Sequence, residues 1–260
     1  MKNKILVVDN HRMMQKFMTT LLVKEGFEVK TAKDGISALD VLKTFYPDVI
    51  FIDLIMPNIS GDKLCRIVRS MPQMKDVFLV ILSAIAAEDE LDFTGFGADA
   101  CIAKGPFDKM SVHVLALLAR WKKGDLSGIA QKVVGIEDIN KREITKELLS
   151  TRKHLQVIIE NMAEGIFELT PDGKIIYANP VAVSISGIKE EKLLGIYFIG
   201  LFEENTLKKV RNLLESAADS PNTINGNLTV DINDRQVLLN IIPIKDEDRN
   251  SIIVILNDVS

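Results

Sequence analysis

The chain has 260 residues, 47% of them apolar and 26% charged, with a net charge of −4. That length suits two domains of about 100–150 residues each, and the composition is ordinary globular usage. No apolar run reaches the roughly 18 residues of a membrane span, and "MKNKILVVDN" turns acidic too early for a secretory signal. Cys65 and Cys101 lie far apart without metal-ligand spacing, so a reduced cytoplasmic compartment is expected rather than a disulfide scaffold. Residues 1–123 hold 17 Lys+Arg against 15 Asp+Glu, and residues 124–260 hold 15 against 21. Neither half has the clustered basic surface of a nucleic-acid binder.

The first 120 residues alternate between two hydrophobic periods. "KILVVD" (4–9) reads as a buried strand. "HRMMQKFMTTLLVKEG" (11–26) puts Met14, Phe17, Met18, Leu21 and Leu22 on one helical face, with Gly26 as the stop. "EVKTA" is the next strand, and "DGISALDVLKTFYPD" an amphipathic helix ended by Pro47. "VIFIDL" (49–54) is a second buried strand, followed by the helix "GDKLCRIVRSM". "VFLVILSA" (77–84) is strongly apolar, "AEDELDFTGFGA" a polar helix, "ACIAK" (100–104) a short strand, and "DKMSVHVLALLARWKK" a closing helix. Five β-α units with strands apolar on both faces predict a doubly wound five-stranded parallel α/β sheet.

From Gly124 to about Met162 apolar density drops. Ile144, Leu148, Thr151, Leu155, Ile158 and Met162 fall on alternating four- and three-residue steps, a coiled-coil seam under three heptads long. A solvated helix packed on its own domain is the plainer alternative. From Ala163 the period becomes strand-like. "GIFELTPDGKIIYANP" is two strands around a Pro-Asp-Gly turn. Short helices fill 180–216, and "TINGNLTVDI", "RQVLLNIIPI" and "SIIVILNDVS" are three further strands, the last two joined by "KDEDRN". This predicts an α+β domain with an antiparallel sheet.

In a parallel sheet, ligands sit outside the C-terminal strand ends. Asp9 and Asn10 end the first strand, Asp53 the third, Ser83 the fourth and Lys104 the fifth, so these five side chains are expected to share one crevice. Carboxylates there suit a hard, oxygen-preferring cation such as Mg²⁺. A lysine and a hydroxyl beside them suit a phosphoryl group, with Asp53 as the nucleophile that carries it.

At these residues the sequence resembles the receiver domain of two-component response regulators, over about residues 2–122. The resemblance rests on "VVDN", "FIDLIMPNISG" around Asp53, "LSA" with Ser83 and "AKGPF" with Lys104. It implies a flavodoxin-like fold in which Asp53 accepts phosphate from a phosphohistidine of a histidine kinase or phosphotransfer protein. It also implies that Asp9, Asn10, Asp53 and the Ile55 carbonyl hold Mg²⁺, that Ser83 hydrogen-bonds the phosphoryl oxygens and that Lys104 pairs with them. Three positions depart from the pattern. Asn10 stands where a second acid is usual, and losing that charge should weaken metal binding about tenfold, or ~1.4 kcal/mol. Gly105 separates Lys104 from Pro106, which relaxes a turn that usually carries a cis peptide. Cys101 replaces the aromatic residue that normally rotates with the hydroxyl.

A phosphatase of the haloacid-dehalogenase type would want a second aspartate two residues after Asp53, where Ile55 stands. His11, directly after Asn10, lies either near the site or, as the plainer reading, in a surface loop; His113 is read as structural, and His154 as an ordinary exposed residue without kinase phosphoacceptor context.

Residues 155–260 resemble a PAS domain, on "IIENMAEGIFELTPDGKIIYANPVAVSISGIKEEKLLG" and the closing "ILNDVS". The family hands signals on from that closing end, so a piece cut from a longer sensor protein is expected. With no histidine after His154 and no cysteine after Cys101, a haem ligand and a covalent flavin adduct are not expected. A dimerisation and relay module is favoured over one holding an unknown small ligand. The expected organisation is a receiver over 1–123, a helical linker over 124–162 and a PAS domain over 163–260. Phosphorylation at Asp53 would be relayed to the PAS domain, within a homodimer. Two alternatives stand: the regulatory part of a sensor histidine kinase whose catalytic region lies elsewhere, and a PAS ligand sensor whose receiver is a docking platform.

Overall fold

Runs of β-branched and aromatic residues set the strands, and the elements between them bury single apolar stripes. The computed structural model describes residues 3–84, 93–129, 133–136, 143–217, 225–245 and 250–259. It divides into two units, Met1–Ser150 and Thr151–Ser260.

In the first unit, β1 (Lys4–Val8), β2 (Glu28–Ala32), β3 (Val49–Asp53), β4 (Phe78–Ser83), β5 (Ala100–Ala103) and β6 (Val133–Val134) form one parallel sheet in the order β2-β1-β3-β4-β5-β6. Every residue of β3, β4 and β5 is buried, as a sheet covered on both faces requires. Helix α1 (Arg12–Lys24) buries Met14, Met18 and Leu22, an i, i+4, i+8 stripe. Helix α2 (Gly35–Leu42) starts on a capping box between Asp34 and Ser37, α3 (Gly61–Ser70) buries Leu64, Cys65, Ile67 and Val68, and α4 (Phe107–Lys123) ends at Gly124 in the left-handed region.

Three expectations are corrected. The sheet has six strands rather than five: Val133 and Val134 pair with Cys101 and Ile102. An edge at β5 would leave backbone groups unpaired, and a two-residue strand is too short to register as a period. Helix α2 stops five residues before Pro47, because Thr44 and Phe45 turn back onto the Val41 carbonyl and Phe45 is buried. The polar helix read over 87–98 falls in large part outside the described residues. Its described part, 93–98, is overlapping turns, with Gly97 at φ +82° donating to the Thr94 carbonyl.

Helix α5 (Glu143–Glu160) spans most of the candidate seam. Leu155, Ile158 and Met162 are exposed, whereas the side chains of Ile144 and Leu148 lie outside the described residues. In the second unit, β7 (Gly165–Leu169), β8 (Ile175–Ala178), β9 (Asn225–Ile232), β10 (Arg235–Lys245) and β11 (Asn250–Asp258) form an antiparallel sheet in the order β8-β7-β11-β10-β9. Between β8 and β9 run α6 (Pro180–Ser186), α7 (Glu190–Leu193), a short 3₁₀ turn (Phe198–Leu201) and α8 (Glu204–Ala217). Asn233 and Asp234, both at positive φ, make the two-residue β9–β10 hairpin turn that fits the strand twist. The charged β10–β11 turn includes residues 246–249, which lie outside the described residues.

Candidate functional site

Strand order decides what meets at the sheet edge. The chain leaves β1 toward β2 on one side and β3 lies on the other, so a crevice opens at the C-terminal ends of β1 and β3. Register then sets the neighbours. Val8 pairs with Ile52, so Asp9 and Asp53 follow side by side one step later. The Asp9 N–H continues the ladder to the Ala32 carbonyl at 3.0 Å, that of Leu54 to Leu82 at 3.0 Å, and that of Lys104 to Ser83 at 2.8 Å.

Three of the expected side chains converge. Lys104 Nζ lies 2.7 Å from Asp9 Oδ2 and 2.7 Å from Asp53 Oδ2. Asp9 is fully buried, Asp53 nearly so, and the Lys104 side chain is only 10% exposed. The Lys104 ammonium is near enough to Asp9 Oδ2 to pair with it, yet that buried oxygen accepts no well-angled hydrogen bond. Two carboxylates against one ammonium leave the cluster with a formal charge of −1. Burial raises the Asp53 pKa above its ordinary value; the Lys104 charge and hydrogen bond oppose that shift, and the Asp9 charge adds to it.

Ser83 ends β4 and is fully buried at the same edge. Ile55 is partly exposed, and its N–H donates to Asp53 Oδ1 at 3.3 Å. Asn10 is exposed and lines a surface hollow with Arg12, Gln15, Thr31 and Lys33, beside the carboxylates rather than buried between them. His11 is exposed as expected, but it also joins the cluster. Its N–H donates to Asp9 Oδ1 at 2.8 Å and its Nδ1 lies 3.6 Å from the same oxygen. One ligand atom each from Asp9, His11 and Asp53 lies within 4.8 Å of the others. The only signal in the sequence was adjacency, His11 standing two residues after Asp9.

The loop after Asp53 is shaped by its own residues. Asn58 sits at φ +65° and its amide donates to Asp34 Oδ2 at 3.1 Å. A Cβ on Gly61 would collide with the Asp53 carbonyl, so this glycine lets α3 begin against the end of β3. Cys101 is buried in β5, and burial pushes its thiol up to about 12, which keeps it protonated and unreactive. No cis peptide bond occurs among the described residues, the Gly105–Pro106 bond included.

A donor set of buried carboxylates with an incompletely satisfied oxygen fits a divalent cation. Residues 5–115 match the response regulator receiver domain family, and residues 153–259 match the PAS fold family. The chain therefore carries a response regulator receiver domain followed by a PAS domain, the equipment of two-component signal transduction. Among its relatives are a probable transcriptional regulator ycf27 of Guillardia theta, 31% identical over 56% of this chain and 59% of its own, and the response regulator ArlR of Staphylococcus aureus, 30% identical over 47% and 56%. The chain thus spans little more than half the length of these relatives. A receiver domain structure from a Francisella response regulator is 30% identical, covering 46% of this chain and 99% of that one, with a TM-score of 0.40. Among the described residues no helix is long and apolar enough to cross a membrane.

Proposed function

We propose that the first domain, taken as residues 1–123, is a Mg²⁺-dependent phosphoacceptor and that Asp53 receives the phosphoryl group from a phosphohistidine on a partner histidine kinase or phosphotransfer protein. The observation that carries this reading is the placement of Lys104 Nζ 2.7 Å from both Asp9 and Asp53 at one strand-end crevice. An Asp53 carboxylate oxygen attacks phosphorus, the P–N bond breaks, and its electron pair returns to the partner imidazole. The product is an acyl phosphate on Asp53. Lys104 pairs with the transferred phosphoryl oxygens and the Ser83 hydroxyl donates to them. Asp9, Asp53, the Ile55 carbonyl and the Asn10 amide oxygen would hold Mg²⁺, which when bound neutralises charge on the phosphoryl oxygens.

Output passes, on this reading, through the linker of residues 124–162 to the PAS domain of residues 163–260, in a homodimer whose seam uses Leu155, Ile158 and Met162. Exposure of those three side chains supports it. Phe167, Phe198 and Phe202 are buried and meet edge to face, which supports a packed relay module.

Intact-mass measurement after treatment with acetyl phosphate tests the assignment. A phosphate-sized adduct that requires Mg²⁺ and is absent from Asp53→Asn is expected. Labelling that persists in Asp53→Asn, or no labelling at excess donor and metal, would overturn it.

A further inference from the structure

Mg²⁺ binds oxygen donors and gives up its waters reluctantly. The pocket offers two carboxylates, Asp9 and Asp53, which share the Lys104 ammonium, and Asn10 adds no third charge. Beside it stands a nitrogen donor, His11 Nδ1, 3.6 Å from Asp9 Oδ1. The His11 side chain is 71% exposed, so it can turn without losing packing. Its backbone N–H donates to Asp9 Oδ1 at 2.8 Å, which holds the residue beside the carboxylate. Ligands of one ion with bonds near 2.1 Å are at most about 4.2 Å apart. The Asp9, His11 and Asp53 ligand atoms lie within 4.8 Å of one another, and His11 Nδ1 is 3.6 Å from Asp9 Oδ1, so modest adjustment would bring the three around one ion. Asp9 Oδ2, fully buried, is paired with Lys104 but accepts no well-angled hydrogen bond, so its coordination is incomplete.

We propose that His11 is a nitrogen ligand of the divalent-ion site and shifts its preference from Mg²⁺ toward Mn²⁺. This rests on the reading that Asp9 and Asp53 hold a divalent cation. Imidazole suits first-row transition ions, most weakly Mn²⁺, which also takes oxygen donors, and it is a poorer donor still for Mg²⁺, which favours carboxylate, carbonyl and water. The imidazole adds a neutral, softer donor to a site where Asn10 brings no charge, so its presence changes which ion binds best. A His11 that served only as an ion-pair partner of Asp9 would act in the opposite sense, competing with any cation for the same oxygen.

The test is binding of each ion to the whole chain, by loss of the free Mn²⁺ spin-resonance signal and by calorimetry for Mg²⁺. His11→Ala and His11→Gln are compared with wild type, and His154→Ala controls for adventitious histidine binding. Both His11 variants are expected to lower Mn²⁺ affinity about tenfold or more while leaving Mg²⁺ affinity within about twofold. Spin-echo modulation from an imidazole nitrogen should be present on Mn²⁺ bound to wild type and to His154→Ala, and lost in both His11 variants. Unchanged or tighter Mn²⁺ binding in those variants, or no nitrogen modulation in wild type, overturns the role of His11. If Asp53→Asn and Asp9→Asn still weaken binding in that case, the oxygen site stands. Absence of both Mn²⁺ and Mg²⁺ binding to wild type would instead overturn the cation reading itself.

Discussion

Among the described residues, the buried polar side chains of the first unit are Asp9, Asp34, Asp53 and Ser83, whereas those of the second are Thr170, Asn179, Ser186 and Ser251. Three of the first four are carboxylates, and all of the second four are neutral. The neutral group at the centre of the PAS unit is fully used. Asn179 Oδ1 accepts from the N–H groups of Ile166 and Ala182, and its amide donates to the carbonyls of Ile159 and Glu164. It caps α6 and ties it to β7 and to the end of α5. The carboxylates at the receiver edge share a single ammonium, that of Lys104: Asp53 is pushed up by burial, and Asp9 keeps an oxygen without a well-angled hydrogen bond. A buried polar group that is saturated fixes a fold, and one left short of partners is poised for a ligand.

Substitutions sharpen this contrast. The largest effect is expected for Lys104→Met, which leaves two buried carboxylates without their cation. Acetyl phosphate labelling should fall on the order of 10²–10³-fold by mass spectrometry. The receiver should also lose about 3 kcal/mol in denaturant unfolding near neutral pH. Next comes Asn179→Ala, which strands two N–H groups and two carbonyls. A loss of about 2–3 kcal/mol in the PAS transition is expected, with Asp53 labelling unchanged. A labelling defect there would break the separation between the two kinds of buried polar group.

Asn10→Asp is expected to tighten Mg²⁺ about tenfold by calorimetry, or ~1.4 kcal/mol, since it restores an anionic oxygen. Asp34→Ala removes the α2 cap and the partner of Asn58, and should cost about 1 kcal/mol. Asp53 supplies a pH test. Its folded pKa is raised above 3.8, so the folded state binds the proton more tightly and wild type loses stability as pH rises from about 3.8 through the folded value. Asp53→Asn lacks that loss, so its stability relative to wild type should increase across the window in pH-dependent unfolding. A constant difference would mean that burial does not govern this carboxylate.

Much of the fold was legible in the sequence because apolar strands of four to six residues can only be buried on both faces, and because helices such as α1 advertise their stripe. The PAS strands were legible too, through alternation and the Pro-Asp-Gly turn. Strand-end positions named Asp9, Asn10, Asp53, Ser83 and Lys104, since a parallel sheet brings all its C-terminal ends to one edge, but they did not tell that Asn10 is exposed. What the sequence could not supply was set by register and long-range pairing. Val133 and Val134 become a strand only because β5 offers an edge, and the turn of Phe45 into the core ends α2 early. The loop backbone that folds His11 over Asp9, while leaving Asn10 exposed beside the carboxylates, likewise belongs to tertiary structure. Periodicity records which face of an element is buried; it holds no record of the loop angles that bring two side chains of adjacent residues to different neighbours.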